Sequence, residues 1–292
     1  MPRPLVVAAF VSFILGLVKL SVALWTGSQA LRASAVDSLS DAVISTSNAL
    51  LARWAAEPAD AGHPYGHGKA ESLGGLLQVL ALGGGILWIV VSAVSRLLEP
   101  ETPAPVALPA ILTLVGSLGV SFVLGRHLAA EARAKGSLAM AADAVHYRMD
   151  AASGVAALIG VGVAAWTGSG VADSVGSLVV AALMSRDLWG LGRTALDQLL
   201  DSPLPPEEIA KVEAILRDEP EVRGWHDLRT RRAGPTRFVD VHLELDGELT
   251  LAEAHRIADR VEERIFTEVE RAVALVHVDP VGADEERRGH AG

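Results

Sequence analysis

The chain predicts a polytopic α-helical membrane protein of six transmembrane helices followed by a small C-terminal α+β domain. Three observations carry that reading. Half of the 292 residues are hydrophobic and the mean hydropathy is positive, far from a typical soluble protein. Roughly the first two thirds consist of apolar runs near the length of about 20 residues that crosses a bilayer. The last third is charged instead, so that most of the acidic residues behind the net charge of −10 fall after Pro203. That distribution argues against a nucleic-acid partner and suits a domain that handles cations. Cysteine is absent, which removes disulfides, thiolate metal ligands and sulfur redox chemistry.

The first span is expected at residues 5–25. One arginine precedes it and no small-residue cleavage site follows, so it reads as a retained span rather than a signal peptide. Lys19 lies inside it, and two readings stand. The preferred one is a snorkelling side chain whose ammonium reaches the interface near Trp25; the other is a counter-charge for acids on the next span. The second span, residues 31–54, contains Asp37-Ser38-Leu39-Ser40-Asp41, two carboxylates one helical turn apart on one face. An ionisable residue at the centre of a spanning helix costs about 2.5–3.5 kcal/mol on insertion scales. Two of them on one span point to a cation pathway.

A polar loop follows at residues 57–71, with Asp60, His63 and His67 close together. Single loop histidines are commonly solvated; two spaced by four, with an aspartate three before the first, make a second metal site the alternative. The third span, residues 72–98, is rich in glycine, which permits close helix approach. A proline-broken turn is expected at 99–105 and the fourth span at 106–128, leading into a basic connection with Arg126, His127, Arg133 and Lys135. The fifth span, 138–166, carries Asp143, His146 and Asp150; the last two are again one turn apart. Two such faces turned toward each other present four oxygen or nitrogen ligands, the number a tetrahedral Zn²⁺ takes. A tight turn at 167–170 precedes the sixth span, 171–188, where Asp173 reads as a cap or interface residue. Lysine and arginine concentrate in the second-to-third and fourth-to-fifth connections and the C-terminal third. The positive-inside rule therefore puts both termini in the cytoplasm, and Trp25, Trp54, Trp166 and Trp189 suit an aromatic belt at the span ends.

After Asp201-Ser-Pro-Leu-Pro-Pro206 the pattern changes. Residues 207–218 read as a helix, 222–232 and 237–246 as strands around Ala-Gly-Pro-Thr, 250–268 as a helix and 272–278 as a last strand. Val239, Val241, Leu243 and Leu245 alternate with Asp240, His242 and Glu244, a half-buried strand with a polar face. The order αββαβ predicts helices packed on one sheet face. The expected divisions are a six-span domain at 1–201, a cytoplasmic domain at 202–283 and a disordered tail at 284–292. His226, His242, His255 and His277, with Asp279, all lie in the small domain. Any one alone reads as an ordinary surface or core residue. Four imidazoles without cysteine suit metal binding equally well.

Taken together, DSLSD in the second span, HPYGHGKAES after it, HYRMD in the fifth, and HDLRTRRAGPTRF, HLEL and HVDP near the end resemble the cation diffusion facilitator family, in its bacterial zinc and ferrous-iron efflux type. The resemblance covers nearly the whole chain. It implies a homodimer in the inner (plasma) membrane, six-span protomers and a metallochaperone-like cytoplasmic domain. It assigns Asp37, Asp41, His146 and Asp150 to a transport site, Asp60, His63 and His67 to a loop site, and His226, His242, His255, His277 and Asp279 to a binuclear cytoplasmic site that draws protomers together. Lys69 and Asp201 match a charge interlock at the dimer interface. Val281 departs from relatives that carry a cysteine near the cytoplasmic site, and Ala61 and Gly62 replace polar loop residues.

Three carboxylates and one imidazole admit Zn²⁺, Cd²⁺, Fe²⁺ and Mn²⁺, and the imidazole favours zinc-like ions. Metal binds deprotonated ligands, so loading releases protons, and the expected activity is metal–proton antiport by alternating access. A membrane metallohydrolase needs an open coordination position and a base, as in H-E-x-x-H, and no such motif occurs. A passive channel is disfavoured because four converging ligands hold an ion too firmly for easy conduction.

Overall fold

The computed structural model describes residues 3–27, 29–98, 108–167 and 171–282, apart from the side chains at 29, 30, 33, 110, 157, 161, 164, 165, 167, 172 and 173. The expected turn at 99–105, most of the one at 167–170, the Asp173 side chain and the tail at 284–292 lie outside the described residues. The chain divides into two units, Met1–Leu196 and Asp197–Gly292.

The first unit is helical: α1 (Arg3–Thr26), α2 (Gln29–Ala55), α3 (Lys69–Leu98), α4 (Leu108–Lys135), α5 (Leu138–Thr167) and α6 (Val171–Leu199, whose last residues belong to the second unit). Among the described residues α1, α3, α4 and α6 are long and apolar enough to cross a membrane. α2 and α5 have the length, but their apolar runs are interrupted by the residues of interest, Asp37 and Asp41 in one and Asp143, His146, Arg148 and Asp150 in the other. Large apolar side chains such as Phe10, Val43, Trp88 and Phe122 stand on the outer faces, as a lipid-facing surface requires. The inner faces pack Leu5 and Ala8 of α1 with Leu124 and Leu128 of α4 and Met140 and Tyr147 of α5, and Leu82 and Ile86 of α3 with Met149 of α5 and Met184 of α6.

Two expected boundaries are corrected. Arg126, His127, Arg133 and Lys135 are not in a connection; α4 carries all four. Its alanine-rich last turns favour helix, Leu128 and Ala132 remain buried, and Glu131 pairs with Lys135 at 2.5 Å. The helix stops only at Gly136, whose φ of 63° is the left-handed conformation that ends helices at a glycine. Likewise α6 passes residue 188, because Leu191 and Ala195 still bury against Leu138 and Ala142 of α5.

The second unit holds α7 (Pro206–Asp218), β1 (Gly224–Ala233), β2 (Thr236–Leu245), α8 (Leu251–Glu268) and β3 (Ala272–Pro280). The strands form one sheet in the order β1-β2-β3, with β1 antiparallel and β3 parallel to β2. α8 is the crossover that a parallel neighbour needs, and Thr250 and Glu253 close a capping box at its start. Val239, Val241, Leu243 and Leu245 bury against Val212, Ile215 and Leu216 of α7 and Ile257, Val261 and Ile265 of α8. Both helices therefore cover one face, as expected, and the other face is left to the polar residues. Arg237 joins the layers: Nε and Nη2 donate to Glu208 on α7 at 2.5 and 3.1 Å, and Nη1 donates to the Glu270 carbonyl at 2.7 Å. The guanidinium holds the Glu208 carboxyl below its ordinary range.

Candidate metal centres

Three clusters of metal-ligating side chains form among the described residues. The first joins α2 to α5. His146 Nε2 lies 2.7 Å from Asp41 Oδ1 and 3.7 Å from Asp150 Oδ2. Those separations bracket the edge of about 3.4 Å between ligands of a tetrahedral zinc with bonds near 2.0–2.1 Å. The imidazole's Nδ1 is buried with no hydrogen-bond partner among the described residues. Asp37 is on the same side of α2 one turn earlier, but its carboxylate is exposed and stands outside the trio.

Lys19 settles its two readings against snorkelling. It is 8% exposed and its Nζ donates to Ser38 Oγ at 2.8 Å, which turns the ammonium toward the acidic stretch of α2. Asp143 is fully buried and is not one of the trio. Its Oδ1 accepts from Asn48 Nδ2 at 2.6 Å and Gln78 Nε2 at 3.2 Å, and Asn48 also donates to Gln78 Oε1 at 2.5 Å. Nearby, the Tyr147 hydroxyl meets Ser12 at 2.7 Å and Ser45 at 3.3 Å. Glu71 on α3 accepts from the Ser137 hydroxyl and from Ala139 N–H, while Ser137 Oγ accepts from Met140 N–H at 3.2 Å. A carboxylate of α3 thus anchors the capped start of α5, the helix that carries His146. Asn48, Gln78, Glu71 and Ser137 escaped sequence reasoning, since each is an ordinary polar residue until the helices pack.

The second cluster is the loop trio. Asp60 stands 3.5 Å from both His63 Nδ1 and His67 Nε2. Its Oδ1 accepts from the backbone N–H of His63 at 2.7 Å and of Gly62 at 2.8 Å, and these donors, His63 first, hold its carboxyl below the ordinary range. A carboxylate kept charged and aimed at two imidazoles fits a divalent cation. Trp54, expected as a belt residue, packs its ring on His67 and His63 with centroids 5.5 and 6.1 Å apart. No spacing rule points to it; only the end of α2 brings it there.

The third cluster lies on the open face of the sheet. Strand register sets His226 opposite His242 and His242 opposite His277, so three imidazoles form a row across three strands. Asp279, two residues after His277, closes the row: its carboxylate lies 2.8 Å from His242 Nδ1, 3.6 Å from His226 Nε2 and 3.4 Å from His277 Nε2. His226 reaches this face through a β-bulge, where Asp227 (φ 50°) and Leu228 oppose the single residue Val241. This donor set fits zinc-like ions. His255 is not brought to the row; it is exposed on α8 with Asp259 at 3.6 Å. Lys69 begins α3 in the first unit. Asp201 belongs to the second, where Arg231 lies 3.4 Å from it. Val281 is exposed just past β3.

Residues 5–200 match the family model of the cation efflux transmembrane domain, and residues 204–281 that of the cation efflux protein cytoplasmic domain. The cation-efflux pump FieF of Pectobacterium atrosepticum is 37% identical over 283 residues, 97% of this chain and 94% of that protein. FieF of Klebsiella pneumoniae is 35% identical over 278 residues, 95% and 92%. Among solved structures, the metal-bound C-terminal domain of the CzcD transporter from Thermotoga maritima is 25% identical, with a TM-score of 0.26 over 26% of this chain and 90% of that one. On the two family models and the full-length relatives, this chain is a multi-pass cation-efflux transporter that belongs to the cation diffusion facilitator family, FieF type.

Proposed function

We propose that the protein exports a divalent metal ion, Zn²⁺ foremost with Cd²⁺ and Fe²⁺ as further cargo, from the cytoplasm in exchange for protons by alternating access. The observation that carries this reading is the meeting of Asp41, His146 and Asp150 between two helices of a membrane unit. Asp37, one turn from Asp41, supplies the fourth ligand once cargo enters. All four give up protons to bind metal, so protons and cargo compete for the same atoms. In this reading α1 to α6 all span the plasma membrane with both termini cytoplasmic, and residues up to about 201 form the transport domain.

The loop trio is proposed as a second metal site. The row His226, His242, His277 and Asp279 is proposed as a resident metal site of the cytoplasmic domain that tightens a homodimer. His255 lies outside the row of its own protomer, so any part it takes is across the dimer. Lys69 and Asp201 are proposed as an interlock between protomers. A preference for Fe²⁺ or Mn²⁺ is the second reading, which the carboxylate share of the site allows.

The test is uptake by purified protein in liposomes containing a pH dye, with Zn²⁺, Cd²⁺, Fe²⁺ and Mn²⁺ offered in turn. Saturable Zn²⁺ entry with opposite proton flow, lost in Asp150→Ala, is expected. Metal flux indifferent to an imposed pH gradient would overturn the exchange mechanism.

A further inference from the structure

Lys19 occupies an expensive position. A buried ammonium is costly unless nearby charge compensates it, and this one lies on the inward stripe of α1 that also buries Leu5, Ala8, Ser12, Gly16 and Ala23. Gly16 brings it within reach of α2. A Cβ at Gly16 would stand 2.7 Å from Leu39 Cγ and Cδ2, so the two backbones are nearly in contact one turn before Lys19. The ammonium then donates to Ser38, the residue after Asp37 and three before Asp41. Asp150, Asp41 and Asp37 are the carboxylates whose fields act on it. Among the described residues none of them is within ion-pairing distance; the hydroxyl of Ser38 holds the charge beside the acids and leaves their oxygens to the cargo.

We propose that Lys19 is a fixed counter-charge of the transport site, which offsets one of its three carboxylates and keeps cargo affinity low enough for release. The inference rests on the proposed assignment of Asp37, Asp41, His146 and Asp150 as transport ligands. With the acids ionised around a bound metal, Asp37, Asp41 and Asp150 together with one ammonium leave two negative charges, which a divalent cation cancels. Without the ammonium the loaded site keeps an uncompensated negative charge in a medium of low dielectric, and the cation is held harder. A carrier gains nothing from that extra attraction, because uniform tightening lowers KM without raising the turnover rate and slows the release that follows.

The experiment compares Zn²⁺ transport kinetics in liposomes for wild type, Lys19→Met, Lys19→Gln and Lys19→Arg. Folding of each is checked by size-exclusion elution and melting temperature. Loss of the charge should lower KM for Zn²⁺ by about tenfold or more and lower kcat with it. Lys19→Arg, which keeps the charge, should stay near wild type in KM. An unchanged or raised KM in the folded Met or Gln variant overturns the proposal, as does an equal fall of KM in Lys19→Arg. If Lys19→Met misfolds, Lys19→Gln still gives the answer. Separate from these, wild-type rates in Asp150→Ala would overturn the ligand assignment itself.

Discussion

The helical trio and the sheet row use the same donors, imidazole and carboxylate, on scaffolds with opposite mechanical properties. Asp41 and His146 meet across the contact of α2 with α5 through their side chains. A tilt of one against the other parts the ligands at the cost of side-chain contacts alone. His226, His242 and His277 are neighbours in one hydrogen-bonded ladder; they cannot part unless strand pairing breaks. The first arrangement suits a site that must assemble and dissolve in each cycle. The second suits a site that holds its ion and reports on it. Membrane burial sharpens the contrast, since the trio sits in helices whose outer faces are apolar while the row faces outward from a charged domain.

The largest effect expected from breaking this contrast is at His146, whose Nε2 links Asp41 and Asp150. His146→Ala should reduce Zn²⁺ flux by more than about 100-fold, beyond the 10–100-fold typical of losing an outer-shell partner. The paired change His242→Ala with Asp279→Ala should instead leave the saturated rate near wild type. It should raise the metal concentration needed for half-maximal flux and weaken dimerisation, as read by sedimentation. Complete loss of metal binding at the membrane site in that variant would erase the distinction.

Next in size is the bulge. His226 pairs with His242 across it, so His226→Ala should lower the metal affinity of the sheet site, measured by titration of the full chain, about 10–100-fold with saturated flux retained. Gly16→Leu probes the other scaffold: a side chain driven into Leu39 should cost about 1–3 kcal/mol of stability and slow transport, leaving zinc binding at the sheet intact. The smallest effect concerns Glu208. Its carboxyl is held below the ordinary range by Arg237, so it stabilises the C-terminal domain above the unfolded glutamate pKa of about 4.3, and that contribution is lost as pH falls through the lower folded value. Glu208→Gln should flatten the domain's stability between neutral and acid pH, as measured by hydrogen exchange on the full chain.

The helical trio was legible because helices convert spacing directly into a shared face: Asp37 and Asp41, or His146 and Asp150, need no partner to reveal it. What spacing cannot tell is depth. Lys19 looked able to snorkel, and only the close approach at Gly16 turns it inward. Asp143 shares a span with His146 and Asp150, yet Asn48 and Gln78 from two other helices claim its carboxylate. In the sheet domain, alternation along β2 located His242 and the buried valines. It failed at His226: counting back by twos from buried Thr230, which pairs with Val239, puts His226 on the helix-covered face, and the bulge reverses it. The span ends were least legible, because the basic residues after 128 continue a good helix until Gly136 stops it.

The central claim is that the helical trio, with Asp37, is where cargo binds, independent of the loop and the sheet. The direct measurement is the zinc stoichiometry, by equilibrium dialysis, of a full-length variant carrying His63→Ala, His67→Ala, His242→Ala and Asp279→Ala. The account predicts one zinc retained per protomer, lost on adding Asp41→Ala. A variant that retains no zinc, or one whose zinc survives Asp41→Ala, would contradict it.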